Sequence, residues 1–483
     1  MSTQPAQLHR EALGLRDVVF QGITHIAPAI NIVFTLPVIA AQAGATMPIS
    51  LLLSVIVCVF IANTVAQFSR YVPSSGGYYT FASRGLGPRF GFMTTWSYLI
   101  YDIIGPAAAI GFLGFVMSGF LQSGTGINIP WWILSIITAV IVWFLTYFGI
   151  RISTRTTAIL GGIEILIMLA LGVTFLLNPG PGSSWIAPFQ PTIAPTGLGG
   201  VIGGMVFSIL ALSGFEAPAP LAEETKLPNR LIYRAIFISL LIVGIFYIFM
   251  AYASAIGWGT GNMAAFATAS TNPYYTLAQK FWGIGWWLVL FAIINSTLAV
   301  GIACTNAATR VMYTMAQAGT LPSALGKIHP VHKTPYIAVH VEQLFQIGSF
   351  LLVGIFFGAD QIFGFLGTIA TLAVIVLYIM ANIALTTFVR REHSADFNIL
   401  RHVIVPLVGT LLLIPVLYIT VYPVPAYPIN LTPYIFIVML IIGFVAMLVI
   451  AARRPAALNQ ESTLLIRTVE TATEADLREP QIG

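Results

Sequence analysis

Long apolar runs, separated by short polar or turn-forming segments, follow one another from residue 17 to residue 452. They lie at 17–42, 47–69, 90–121, 131–149, 153–177, 200–221, 232–256, 282–315, 336–357, 362–389, 402–421 and 431–452. A helix needs about 20 apolar residues to cross the hydrocarbon core of a bilayer, so the runs predict twelve transmembrane helices. A β-barrel would instead show alternating segments of about ten residues, a pattern the chain lacks. Runs near thirty residues, such as 282–315, must tilt, bend or project beyond the bilayer. Residues 1–16 read as a polar cytoplasmic tail without a cleavage signal, and 453–483 as a polar tail of mixed charge.

Composition agrees with the pattern. Of 483 residues, 58% are hydrophobic and only 8% charged, and the mean hydropathy is +0.90. A soluble chain carries about a quarter charged residues. The 21 basic and 16 acidic side chains here cannot cover a water-soluble particle of 52.1 kDa. The chain therefore reads as an all-α integral membrane protein embedded in a lipid bilayer.

The net charge of +5 has a topological reading. With a cytoplasmic N-terminus, the twelve runs place every Lys and Arg except Lys280 on the cytoplasmic side. One missing or extra helix would destroy that asymmetry, so both termini are expected inside, in the cell membrane. The basic excess then has no need of nucleic acid as a partner. Cys58 and Cys304 both fall in apolar runs and offer neither a disulfide framework nor a metal site. His329 and His332, two ligands on a loop, are too few for a metal. No cofactor motif, metal cluster or catalytic triad is visible, so an enzyme is not expected.

Two runs are interrupted at matching places. The first contains Gly22-Ile23-Thr24-His25-Ile26-Ala27-Pro28-Ala29-Ile30-Asn31, the sixth Ser213-Gly214-Phe215-Glu216-Ala217-Pro218-Ala219-Pro220. Each places an ionisable residue shortly before Ala-Pro-Ala. Proline removes a helical hydrogen bond and clashes with the preceding turn. In hydrocarbon the freed backbone groups must find partners, so such a break survives where it lines a cavity or meets a ligand. Matched breaks in two halves point to a transporter's midplane site. Spans one to five (about 17–177) and six to ten (about 200–389) then form inverted repeats, with two extra helices at 402–452.

The motifs between the runs resemble those of the amino acid–polyamine–organocation transporter superfamily. Phe68-Ser69-Arg70-Tyr71-Val72-Pro73-Ser74-Ser75-Gly76-Gly77-Tyr78-Tyr79, followed by Arg84-Gly85-Leu86-Gly87, is similar to its signature loop. Gly214-Phe215-Glu216 with Ala222-Glu223-Glu224 and Pro228 resembles a second motif. Arg310-Val311-Met312-Tyr313 through Gly319-Thr320-Leu321-Pro322 resembles a third. The resemblance covers nearly the whole chain and implies an amino acid permease with the leucine-transporter-like fold, five plus five inverted helices and two C-terminal additions.

Candidate site residues follow from the breaks. Unpaired amides at the start of a second half-helix favour a carboxylate, and unpaired carbonyls at the end of the first favour an ammonium group. An amino acid's carboxylate is accordingly expected near the amides of Ala29, Ile30, Asn31 and Ile32, and its amino group near the carbonyls of Thr24, His25 and Phe215. Ala27 and Ser213, at the two breaks, are also counted among the substrate-binding residues. Four acids lie within predicted spans, namely Asp102, Glu164, Glu216 and Glu342. Such residues usually face a cavity or a partner. The resemblance makes Glu216 a substrate-linked acid. Tyr98 and Gly105 share a helical face with Asp102, which could meet a cationic side chain or carry a proton. His25 is a candidate proton carrier, or its ring satisfies the broken backbone. Glu342, near the end of its span, reads as a snorkelling or packing residue.

Glu164 departs from the family pattern. It stands fifteen positions after Gly149, where several members carry a lysine thought to replace sodium. A carboxyl there could exchange protons or ligate Na⁺, with Thr297, Cys304 and Thr305 of the eighth span completing an ion site. Protons are the preferred reading. The expected activity is secondary active transport of a neutral or cationic amino acid by alternating access, proton-coupled or exchanging. Alternatives are a polyamine or organic amine transporter of the same fold, and a substrate sensor that does not transport. Glu223 and Glu224, near Arg84 and Arg89, could form an inner gate of ion pairs.

Overall fold

A computed structural model describes residues 14–72, 77–149, 154–219, 225, 228–269 and 271–458. The chain is helical, with no β-strand among the described residues. Nine helical stretches there are long and apolar enough to cross a bilayer, and two further apolar helices are shorter. The chain is thus a multi-pass membrane protein.

The first predicted run is two helices. α1 (Leu15–Ile26) ends at Ala27, and α2 resumes through Pro28–Ile30, a wider turn at Asn31–Thr35, and Leu36–Ala43. α3 (Met47–Tyr71) follows, then the short α4 (Gly77–Leu86) inside the signature loop and α5 (Pro88–Thr125). At 1.5 Å per residue α5 is about 57 Å long, far more than the hydrocarbon thickness, so it projects beyond the bilayer. α6 (Trp131–Tyr147), α7 (Thr154–Leu177), α8 (Leu198–Leu212) and α9 (Pro228–Trp258) come next.

The eighth run differs from its sequence limits of 282–315. The short α10 (Met263–Ala267) and α11 (Pro273–Trp282) precede it, and α12 (Trp286–Ala318) begins after a turn at Gly283. α13 (Tyr336–Phe357), α14 (Ile362–Glu392), α15 (Val405–Val421, entered by a wide turn at Leu400–Ile404) and α16 (Thr432–Arg453) complete the chain.

Burial sorts these helices by depth in the particle. The most apolar windows of α5 and α14 are 78% and 83% buried, whereas that of α16 is 17% buried and presents Ile, Val, Leu and Phe outward. Apolar side chains facing outward are what a lipid-bathed surface requires. Lipid offers no hydrophobic force between helices, so close packing and interhelical hydrogen bonds must hold them together. α5 meets α6 at Gly114, where any side chain would strike Ser135 and the Trp131 carbonyl. The absence of a side chain lets the Ser135 hydroxyl donate to the Gly111 carbonyl at 3.0 Å.

Two assemblies surround the breaks. α3 packs along α9 and α8, while α1 packs on α9 and α2 on α8. α5 packs along α14, with α12 and α13 beside it. The interrupted stretches lie between these groups.

Candidate functional site at the two broken helices

The first break is a single left-handed residue. Ala27 adopts φ 55° and ψ 70°, and its N–H donates back to the Thr24 carbonyl at 3.1 Å. Pro28 then opens α2 at a position where its missing N–H costs nothing. The second break ends a helix outright. α8 stops at Leu212, and 213–219 is a run of turns closed by Ala217 N–H to the Gly214 carbonyl (3.0 Å) and Ala219 N–H to that of Glu216 (2.8 Å). The predicted span to residue 221 is therefore shorter as a helix, because Gly214 and two prolines remove its hydrogen bonds. Residue 220 lies outside the described residues.

The two breaks touch. Gly214 has φ +104°, and a Cβ there would meet His25 Cδ2 at 2.8 Å. Only glycine permits both the angle and the approach. Asn31 crosses the junction: its amide donates to the Ile26 carbonyl at 2.5 Å, which ends α1, and to the Ala211 carbonyl at 3.1 Å, which ends α8. Tyr247 of α9 adds a bond to the Ile26 carbonyl at 3.4 Å. Asn31 thus joins the breaks through its side chain.

Three of the four amides expected to receive a substrate carboxylate, those of Ala29, Ile30 and Asn31, already have protein partners. Glu164 of α7 is 2% exposed and takes hydrogen bonds from Asn295 (2.7 Å) and Ser296 (3.2 Å). Its carboxylate also meets the Ala29 amide. The Ile30 N–H reaches Ser296 Oγ at 3.5 Å, and the Asn31 N–H returns to the Ala27 carbonyl at 3.3 Å. Ile32 is buried within the wide turn. A carboxylate therefore sits at the start of the second half-helix, as the helix dipole favours, but it belongs to the protein.

The expected ion-site residues are not gathered around Glu164. Thr297 donates to Ile293 of its own helix at 2.7 Å. Thr305 bonds instead to Glu342 at 3.3 Å, and Cys304 lies beside Asp102. The near partners on α12 are the adjacent pair Asn295-Ser296, polar residues inside an apolar run that the sequence reading passed over.

Glu216 lies at the centre of the junction. Its carboxylate accepts the Gly214 N–H at 3.0 Å and the Tyr378 hydroxyl at 3.3 and 3.4 Å. Phe215 is fully buried with its ring 5.8 Å from that of Tyr378. Ser213 donates to the Leu210 carbonyl and meets the Tyr101 hydroxyl at 2.8 Å. Thr24 closes on Phe20 of its own helix at 2.8 Å, and His25 is partly exposed beside Gly214.

Asp102 has no exposure, and neither carboxylate oxygen has a hydrogen bond of good geometry, although the Tyr98 hydroxyl and Cys304 thiol lie beside it. Asp102 and Glu216 lie within electrostatic reach of one another. Tyr78 stands between the two acids' aromatic neighbours, its ring 6.3 Å from Tyr98 and 6.3 Å from Tyr378. Tyr78 was named only as part of the signature loop, and Tyr101 and Tyr378 were not singled out in the sequence; their only signal was a polar-tipped aromatic within an apolar run. Two carboxyls ringed by four tyrosines make a setting for an ammonium group, through charge and through the faces of the rings.

Glu342 does not snorkel. It is fully buried and accepts from Thr305, Gln343 (2.9 Å) and Gln346. Of the gate residues, Glu223 and Glu224 lie outside the described residues, while Arg84 pairs with Glu392 at 2.9 Å. No group of three or more metal-ligating side chains occurs among the described residues.

Residues 17–460 match the amino acid permease family. A branched-chain amino acid permease of Bacillus subtilis (strain 168) is 30% identical over 318 residues, 62% of this chain and 66%, just under two thirds, of the relative. A low-affinity putrescine importer of Escherichia coli (strain K12) is 27% identical over 362 residues, 72% of this chain and 75% of the importer. A serine/threonine exchanger of Bacillus subtilis (strain 168) is 28% identical over 342 residues, 68% of this chain and 72% of the exchanger.

Proposed function

This chain belongs to the amino acid permease family, and we propose that it is a secondary transporter carrying an amino acid or a related amine across the cell membrane by alternating access. Family and relatives are transporters rather than enzymes. The proposed topology has twelve spans with both termini cytoplasmic, in five plus five inverted repeats and two added helices. The helices that fall on the twelve apolar runs support it. The packing of α1, α2, α3, α8 and α9 on one another supports a bundle that rocks against the remaining helices.

The observation that carries the reading is the contact between the breaks, with Gly214 against His25 and Glu216 beside them. A substrate's ammonium group would bind at Glu216 and Asp102 among Tyr78, Tyr98, Tyr101 and Tyr378. A neutral or cationic amino acid is the first reading. The Glu164 carboxylate at the Ala29 amide favours a second, a polyamine or other organic amine that brings no carboxylate of its own.

A melting-temperature panel of the purified protein separates these. Neutral, basic and acidic amino acids and polyamines are compared, a ligand at a hundred times its Kd adding about 2.7 kcal/mol of apparent stability. A shift with a neutral amino acid, lysine or putrescine but none with glutamate is the expected result. Stabilisation by acidic amino acids alone, or by none of the compounds, would sink the proposed site.

Glu164 is proposed as the proton-coupling group. Its side-chain hydrogen-bond partners are Asn295 and Ser296 rather than Thr297 or Thr305, which supports a proton over a sodium shell completed by those threonines. Glu164→Gln is expected to retain substrate counterflow between equal-pH compartments while losing accumulation driven by an inward proton gradient. Proteoliposomes with and without the gradient decide it. Unchanged gradient-driven accumulation in the variant would remove Glu164 from coupling.

A further inference from the structure

Away from the broken helices, a cavity of about 200 Å³ opens where the end of α3 meets the link between α14 and α15. Gln67 and His402 form its floor, Tyr71 and Asn398 its walls, and Arg70, Arg401 and Asp396 its rim. Both floor residues are 2% exposed, and both carry an unpartnered polar atom, His402 Nε2 and Gln67 Oε1. Buried polar atoms normally have partners, and leaving one without is costly.

The chemistry of the floor can be read atom by atom. His402 Nδ1 accepts the Asn398 N–H at 3.0 Å. In a neutral ring the proton then resides on Nε2, which is a donor without an acceptor. The Gln67 amide makes only a long bond, 3.4 Å, to Asn63, and rotating it by half a turn exchanges its oxygen for N–H donors. At the rim stand two guanidiniums, and neither forms an ion pair among the described residues. The scaffold is held independently of any ligand. Asn63 donates to the Arg401 carbonyl at 2.9 Å, and Thr386 to that of His402 at 2.6 Å. The Tyr71 ring is stacked on His393 with centroids 4.6 Å apart.

Two arginines and a histidine with a buried, unpartnered ring nitrogen lining one space suit an oxyanion, and the fork of arginine matches phosphate in particular. Asp396 adds a requirement, since it repels a bare anion but accepts from a hydroxyl or ammonium carried beside the phosphate. The cavity lies at the polar ends of membrane-spanning helices, where basic pockets hold anionic headgroups. We propose that this cavity binds a phosphate group, at Arg70, Arg401 and His402, and that an ester substituent of that phosphate meets Asp396. A phospholipid headgroup and a soluble phosphate share this chemistry.

The test uses the full chain purified in detergent, with melting curves and native mass spectrometry. The probes are phosphatidylglycerol, phosphatidylcholine and inorganic phosphate; the proteins are wild type, R70Q/R401Q and D396N. Retention of phosphatidylglycerol, weakened at least tenfold in R70Q/R401Q, assigns a lipid headgroup. Saturable binding of inorganic phosphate, weakened likewise, with no preference for the lipid, assigns a soluble phosphate. D396N should bind inorganic phosphate several-fold more tightly than wild type, a readout that does not depend on the arginine variants folding. The proposal is overturned if none of the three probes binds wild type, if R70Q/R401Q binds them as wild type does, or, where inorganic phosphate binds, if D396N leaves its affinity unchanged.

Discussion

Glu216→Gln is expected to lower transport efficiency about a hundredfold while leaving a folded protein. The substitution keeps the size of the side chain and one carbonyl oxygen, which can still accept the Gly214 N–H now made at 3.0 Å. It removes the charge that attracts a substrate ammonium. A hydrogen bond to a charged group contributes about 1.5–3 kcal/mol, which converts to roughly 10- to 150-fold in binding. The upper part of that range applies here because the site is buried and no Lys or Arg is paired with the acid among the described residues. Uptake into proteoliposomes, read beside the melting temperature of the same preparation, provides the measurement. Asp102→Asn and the double variant complete a cycle. If one ammonium bridges both acids, the losses will be less than additive in free energy. Wild-type uptake by folded Glu216→Gln would remove the acid from substrate recognition.

The second large effect is on folding. Asn31→Ala should destabilise the protein by about 2–4 kcal/mol, since it strips partners from two carbonyls and each unpaired buried group costs about 1–3 kcal/mol. The Ile26 and Ala211 carbonyls that Asn31 joins end α1 and α8, and the break leaves neither a complete set of helical partners. Tyr247, at 3.4 Å, is too long a bond to compensate fully at Ile26. Asn31→Asp should be worse than Ala, because a carboxylate offers no N–H and sets oxygen against oxygen. Thermal inactivation in detergent reports the order, expected to be wild type above Ala above Asp. If Asp survives heating as well as wild type, the amide does not carry the junction.

Much of the site was visible along the chain as residue types, and much less as contacts. The breaks were legible because their cause is local: Pro28, Pro218 and the left-handed or glycine residues before them interrupt a helix wherever it packs. The acids were legible because a carboxylate in an apolar run is rare. What each acid touches was not. Glu342 lies among Thr305, Gln343 and Gln346 rather than reaching for the interface, since the depth of α13 against α12 is set by packing between helices. Glu164 was expected among Thr297, Cys304 and Thr305. Helical spacing does put those side chains near one stripe of α12, but Asn295 and Ser296 are the residues that the crossing of α7 brings to it.

The amino-acid sequence by itself determined the membrane environment, the positions of the helices and the two points where they fail. Each of these follows from interactions within a few residues: apolar length against bilayer thickness, and backbone hydrogen bonds that proline removes. The tertiary structure decided which freed backbone groups are satisfied, and by whom. Asn31 takes the two carbonyls, Glu164 takes the Ala29 amide, and Glu216 is left with Tyr378 and the Gly214 N–H. The reason is that hydrocarbon supplies no water to satisfy a broken helix. A partner that the broken stretch does not itself supply must come from another helix, and which one arrives depends on packing between residues far apart in the chain.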